Sequence, residues 1–423
     1  MDESPMRILV LGEFGGRMRE PAMIDVDNFD RVMARVGPRL RLPDPGDEEL
    51  ELTTIEDFHP DTLYRRLPLF ERLRKTRMEP DTESFARLVG GTPSPAAPPL
   101  PARGAEHPYV QALLREAVQP HIVADAPAHQ AVYAAAADAA IGERMRAIVQ
   151  DPRFKALEAP WRGMHWLVSN LETDEQLKLY ILGASREELT ADPEAVKRTI
   201  ESSGPWSLVV GHYTFGLAAE DIGLLEDLGA VASRAGGPFL AAASSELIGC
   251  RSIAAAPDPR DWTPPAAEAA ERWNALRKSA LAPWIGLALP RMLLRLPYGK
   301  SGDPLESFAF EELPARREHE AYLWGSGALA CAQLIGRAFA ARGWDMEPGD
   351  ELELEDLPAH SYDDDGEKRL QPCAEVALAD RAAQAILDAG LMPLLGYKER
   401  NAARVMRFQS IASPAQPLDG PWS

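Results

Sequence analysis

With 423 residues the chain is too long for one hydrophobic core and is expected to divide into two or three domains. Hydrophobic residues at 45% and charged residues at 26% are ordinary for a globular protein. The 45 basic against 65 acidic side chains give a net charge of −20, which repels nucleic acid and anionic lipid and excludes both as expected partners.

The three cysteines, Cys250, Cys331 and Cys373, form no CxxC pair. A disulfide framework or zinc cluster is therefore not expected, and a reducing compartment fits. The N-terminus, MDESPMRILVL, carries acids where a signal peptide needs bases. No apolar run approaches the ~20 residues that span a bilayer, so a cytoplasmic protein without membrane insertion is expected.

In chain order, Arg7–Phe14 reads as a strand running into the glycines of RILVLGEFGGR. Asp27 is placed to cap a helix whose Phe29, Val32, Met33 and Val36 share one face, with Gly37-Pro38 as its end. RLRL (39–42) and LELTTI (50–55) alternate as strands do. DTLYRRLPLFERLRKTRM is helical, broken at Pro68, with Leu63, Leu67, Phe70 and Leu73 as an apolar stripe. TPSPAAPPLPARG holds five prolines between Pro93 and Pro101, which makes it an extended spacer.

Beyond the spacer, an Ala-rich helix covers Gln130–Val149. LKLYIL (177–182), SLVVG (207–211) and FLAAAS (239–244) read as buried strands. Between them lie helices begun by the Ser185/Glu188 capping box and by Asp192-Pro193, and a helix over Leu217–Ala235 stopped by Gly236-Gly237. That alternation is the pattern of a parallel sheet with crossover helices. WIGLALP (284–290) adds a strand and Tyr322–Arg342 a buried helix. AEVAL, a helix over Asp380–Ala389, LMPLLGYK and RVMRFQSI close the chain as α/β elements. Asp345 to Glu367 holds eleven acids and no Lys or Arg, and reads as a solvated loop.

The expected fold class is thus mixed α/β: residues 1–91 a small α/β domain, 92–106 a Pro-rich linker, 107–411 a larger domain with a mostly parallel sheet, and 412–423 a Pro-rich tail.

The tempting chemical signals fail on spacing. Gly12, Gly15 and Gly16 match neither GxGxxG nor a phosphate loop, and no helix opens behind them. The GKS at Gly299–Ser301 lacks its upstream glycine, which is Leu294. HSYDDDGE (360–367) has Asp363, Asp365 and Gly366 in calcium-loop register, but its first ligand position is Ser361 and its twelfth Pro372. His319-Glu320 has Leu323 where a zincin needs histidine. Ser326 lies in GSG within an apolar run, not in a nucleophile elbow. Trp161, Trp166, Trp284 and Trp324 sit in apolar contexts as core anchors. His212 and Asp221 flank the exit of a buried strand, the best place for chemistry in an open α/β sheet. No catalytic, cofactor-binding or metal residue is expected, and no cofactor.

Taken in order, RILVLGEFGGR, IDVDNFDRVMARVGPRLRL and LTTIEDFHPDTLYRRLPLFERL resemble the small sheath subunit of type VI secretion systems (TssB or VipA type). After the spacer, DPRFKALEAPWRGMHWLVS, TDEQLKLYILGASREEL, LVVGHYTF, EDIGLLEDLGAVASRAGGPFLAAAS, APWIGLALPRMLLRLPYG, YLWGSGALACAQLIGRAFAARGW and GLMPLLGYK resemble the large subunit (TssC or VipB type). The resemblance implies a natural fusion of both, non-catalytic, in a contractile injection apparatus. Its partners would be other apparatus proteins (sheath, tube or baseplate), itself, and a ClpV-type unfoldase. Small subunits of the family continue where this chain enters its spacer, and large ones continue past the position of Ile411 with strands that interlock neighbours. Two rivals follow: an adaptor that caps or regulates assembly without polymerising, and an α/β enzyme using His212 and Asp221.

Overall fold

Strands buried on both faces read as unbroken apolar runs, and the centre of this protein is built from such runs. The computed structural model describes residues 4–422 apart from positions 17, 19, 43–48, 79–125, 314–317 and 365, so the expected linker at 92–106 lies outside the described residues. β1 (Met6–Gly12) and β2 (Ala22–Ile24) come from the N-terminal segment. β3 (Arg39–Arg41) and β4 (Glu49–Glu51) form a separate antiparallel pair. β5 (Leu177–Gly183), β6 (Leu208–Phe215), β7 (Phe239–Ala243) and β8 (Ile285–Leu289) follow. β9 (Met292–Leu293) and β10 (Trp324–Gly325) pair with each other. β11 (Glu353–Leu354), β12 (His360–Asp364), β13 (Glu367–Gln371), β14 (Met392–Gly396) and β15 (Ala403–Val405) complete the set.

Nine strands make one sheet in the order β11-β15-β14-β8-β7-β6-β1-β5-β2. From β14 to β5 every neighbour is parallel, with Met6 opposite Leu177, Val10 opposite Val210 and Leu240 opposite Gly286. β2, β15 and β11 run antiparallel at the flanks. The mostly parallel α/β sheet expected from the sequence is therefore present, but its first strand sits between β5 and β6.

The eleven described helices are α1 (Phe29–Val36), α2 (Pro60–Arg66), α3 (Pro68–Met78), α4 (Ala126–Val149), α5 (Pro152–Asn170), α6 (Arg186–Ala191), α7 (Pro193–Ser202), α8 (Ala219–Ala235), α9 (Ala267–Arg277), α10 (Gly327–Arg342) and α11 (Asp380–Asp388). Leu9, Leu11, Val209, Ala241 and Leu287 join one core cluster with Leu225 and Leu228 of α8. Their equally buried neighbours Ile8, Val10, Val210, Leu240 and Ala242 lie outside that cluster, as the two-residue period of a strand requires. On that other side α10 crosses the strands so closely that a Cβ on Gly327 would lie 3.3 Å from the Cβ of Ala288.

Local signals behave as their chemistry demands. The Ser185/Glu188 capping box starts α6, Asp192 caps α7 through the Ala195 N–H, and Gly236 closes α8 with φ of 87°. α1 departs from expectation: its N-cap is Asn28, whose side chain is bonded to Asp25, so Asp27 is not the cap. β4 stops at Glu51, two residues into LELTTI, and a 3-10 turn follows at Ile55–Phe58. The helix expected from Tyr322 begins only at Gly327, because Trp324 and Gly325 are spent pairing with Leu293 and Met292 and Ser326 supplies the cap. The acidic stretch is not simply a loop. It holds β11, β12 and the start of β13, and its Glu351, Asp350, Glu353 and Asp364 meet Arg337, Arg342, Arg400 and Arg369. AEVAL contributes only an isolated bridge at Ala374.

The compact units also cut across the expected domains 1–91 and 107–411. One gathers residues 1–55, 152–297 and 317–423, the other residues 56–151 and 298–316. The physical reason is β1: a strand apolar on both faces, with backbone groups on both edges, needs a partner on each side. The tail at 412–423 does not trail. The Ile411 and Asp419 N–H groups donate to Ile285 O and Pro283 O, both at 2.9 Å, and Leu418 is buried.

In the second unit Leu63, Leu67, Phe70 and Leu73 are all buried, as the expected stripe requires. Tyr64 packs at a tilt against Phe308 with ring centres 4.5 Å apart, and Arg74 lies over its ring. The Asp61 carboxylate accepts the Glu306 and Ser307 N–H groups at 2.9 and 3.0 Å. There the GKS segment is a closed loop. Its Lys300 N–H donates to the carboxylate of Glu311 at 3.0 Å, an anion of the protein's own where a phosphate would have to sit.

Candidate functional site

Ligands of open α/β sheets bind beyond the carboxyl ends of the parallel strands. Here that region divides into a sealed turn and an open cavity. The turn after β1 is sealed. Trp161 of α5 donates its indole N–H to the Phe14 carbonyl at 3.1 Å and packs edge-on against the Phe14 ring. Gly15 has φ of 73°, and a Cβ there would fall 2.5 Å from Leu157, while one on Gly16 would strike the Val36 carbonyl at 2.1 Å. These glycines serve turning and close packing, in keeping with their failure to match a phosphate fingerprint.

Beside it, a cavity of about 480 Å³ is lined by residues that include Glu13, Lys155, Arg186, His212, Trp324 and Ser326. β6 is irregular between Val210 and Thr214, and such a bulge re-aims the side chains it carries. His212 lies there. Its Nε2 is sealed from solvent and has no hydrogen-bond partner among the described residues, and burial pulls its pKa down to about 4, so the ring is neutral at pH 7. Asp221 is committed elsewhere: its carboxylate accepts from Arg186 and from the Gly216 N–H at 2.6 Å. His212 and Asp221 therefore do not make a base and its orienting acid. Ser326 is the N-cap of α10 and accepts from the Ala328 N–H at 3.2 Å. The Ser326 hydroxyl thus serves a helix cap.

His319 and Glu320 belong to a second cluster. One ligand atom each from His319, Glu320 and Glu375 lie within 4.8 Å of one another, a spacing a metal could use. Arg291 already fills that role. It reaches Glu320 at 2.8 and 3.0 Å and Glu375 at 2.6 and 3.0 Å, and lies 5.5 Å from the Trp324 ring. Burial opposes ionisation of Glu375, but His319 and Arg291 outweigh it and hold its pKa at about 2. The guanidinium supplies the positive charge a metal would bring, so the cluster is an ion-pair network. Deeper still, Glu158 has no solvent exposure and binds Arg295 (2.8 and 3.2 Å) and Arg162 (2.5 Å), which against the cost of burial keep its pKa low.

Sequence reasoning missed both networks, because Arg291 and Glu375, like Glu158 and Arg295, are far apart in the chain. Of the tryptophans, Trp161 and Trp324 are buried as expected, whereas Trp166 and Trp284 are half-buried. All three cysteines are free and buried. No described helix is long and apolar enough to cross a membrane.

Comparison with known proteins bears on the same strands. Residues 132–412 match the family described as VipB (EvpB/VC_A0108, tail sheath N-terminal domain). The protein is also 36% identical over 307 residues to the type VI secretion system sheath protein TssC1 of Pseudomonas aeruginosa, covering 67% of this chain and 61% of that one. The chain thus spans about three-fifths of that relative's length. The family match leaves residues 1–131 uncovered. It takes in β5 to β8, β14 and β15, and so the larger part of the sheet. This chain belongs to the VipB family of tail-sheath proteins.

Proposed function

We propose that the protein is a non-catalytic, sheath-like structural component of a type VI secretion apparatus in the cytoplasm, with small- and large-subunit-like segments joined in one chain. The observation that carries this reading is the family match over residues 132–412, which takes in β5 and β6, the two strands that embrace β1. The segment resembling a small subunit thus supplies β1 in the middle of the sheet and β2 at its edge, while the other seven strands fall within the matched residues, an arrangement that supports a fused pair. The open edge of the sheet adds to it: Met23 and Val26, on and just after β2, are 48% and 61% exposed. A bare apolar edge invites a neighbouring strand. Other sheath, tube or baseplate proteins are the partners this reading names, with a ClpV-type unfoldase to recycle them.

Sedimentation and electron microscopy of the purified chain, alone and with conventional sheath subunits, test the proposal. Co-assembly into tubes supports it, and a monodisperse monomer that binds only one end of a sheath gives the adaptor reading instead. Absence of association with sheath, tube or baseplate under all conditions overturns both. Residues 1–91 and 107–423 produced as separate chains should co-purify if the two segments are a joined pair. Independent elution of the two would refute the fusion.

A further inference from the structure

The cavity beyond β1 and β6 has a charge pattern that neither the sheath reading nor the fold requires. Its walls carry three cations, and each is already engaged. Lys155 donates to the Glu320 carbonyl at 2.5 Å, Arg186 to the Thr214 carbonyl at 2.6 Å and to Asp221, and Arg291 to Glu320 and Glu375. Against them stand six carboxylates in or adjoining the walls: Glu13, Glu187, Glu188, Asp221, Glu320 and Glu375. Glu13 has no hydrogen-bond or ion-pair partner among the described residues. Partial burial and the nearby Glu187 and Glu188 push its pKa up, the mark of a carboxylate short of positive charge.

The remaining wall is uncharged, with aromatic rings among apolar residues such as Pro152, Ala156 and Pro160. Tyr322 and Trp324 line the cavity, as does His212, which is uncharged at pH 7 and whose Nε2 lone pair or proton is unmatched. A volume of about 480 Å³ suits a small molecule or one long side chain. An uncharged lining beside an unpaired carboxylate favours a cation over an anion.

We propose that this cavity is a receptor for an organic cation, a guanidinium or alkylammonium group on a flexible stem, with Glu13 as its charge partner. The same chemistry is offered by a basic side chain of a peptide and by a free polyamine. Calorimetric titration of the full chain at low salt with N-acetyl-arginine amide, with spermidine and with citrate separates these sources. At least one cationic probe should bind with a sub-millimolar Kd, and citrate should not. Both Glu13 and Glu187 are exposed, so Glu13→Gln and Glu187→Gln should fold normally. Loss of a charge-assisted hydrogen bond predicts about tenfold weaker binding for Glu13→Gln. Glu226→Gln, an exposed acid on α8, controls for net charge and should leave the affinity unchanged. Tighter binding of spermidine assigns a free polyamine, and tighter binding of the arginine amide assigns a side chain. The proposal is overturned if neither cation binds, if citrate binds instead, or if Glu226→Gln weakens binding as much as Glu13→Gln does.

Discussion

The two flanks of the nine-stranded sheet are guarded in opposite ways. At β11 the edge is fenced by charge: Arg337 donates to the Glu353 carbonyl at 3.1 Å and to Glu351 at 3.2 Å, and Arg400 pairs with Glu353. The Arg291–Glu375 network follows β8 on the same half, where the Cys373 carbonyl accepts the Leu293 N–H at 2.8 Å. At β2 no such fence stands among the described residues. Met23 and Val26 are exposed, with Glu20 and Asp27 as exposed acidic neighbours. Under the proposed sheath role, the contrast makes the β2 side the one to test for assembly.

Both flanks lean on the same centre, so a cavity there should cost more than any change at an edge. Leu240→Ala in β7, fully buried, should lower the unfolding free energy by about 2–5 kcal/mol in urea titration. A loss of under 1 kcal/mol would mean the flanks are stabilised independently.

Acid should test the charged half selectively. Glu375 ionises at about 2 in the folded protein against 4.5 in the unfolded chain, so its contribution is complete above pH 4.5 and disappears as pH falls toward 2. That is on the order of 3 kcal/mol. Glu375→Gln should remove this part of the acid dependence measured by thermal melts, and an unchanged profile would count against the network. His212 acts in a higher window: its pKa of about 4 lies below the ordinary 6.5, so its share of stability is complete above pH 6.5 and is lost as pH falls to 4.

On the apolar flank, Met23→Asp with Val26→Asp should weaken association with sheath proteins about tenfold or more in sedimentation, ~1.4 kcal/mol, while leaving the melting temperature almost unmoved. Equal binding would show that this edge is not the contact. The smallest effect belongs to Arg337→Ala, about 1 kcal/mol, with faster amide exchange at β11 as the local readout.

Local rules account for what could be read in advance. Capping boxes, glycine stops and unbroken apolar runs located β1, β5 to β8, α6 to α8 and the stripe of α2 and α3, because each depends on residues a few positions apart. The missed elements answer to distant partners. β2 is three residues with no pattern of its own and exists because β5 offers an edge. β9 and β10 hold each other across thirty residues of intervening chain, which is why Trp324 and Gly325 were absorbed into a helix. α5 carries Pro160 in its interior, a residue that argues against helix until the burial of Trp161 and Leu157 is known. The candidate cavity was legible only as a place, the exit of a buried strand. Its charge imbalance depends on Glu13, Glu187 and Glu320 converging from three separate segments.

The location of β1 has a consequence for biogenesis. β1 waits long for its partners, since the residues that flank it, 177–183 and 208–211, are synthesised well over a hundred positions after it. Until then an apolar ribbon with two bare edges must wait without a mate, so nascent chains should depend on holding factors. Slowing translation before residue 177 should increase aggregation, whereas a pause beyond residue 215 should not.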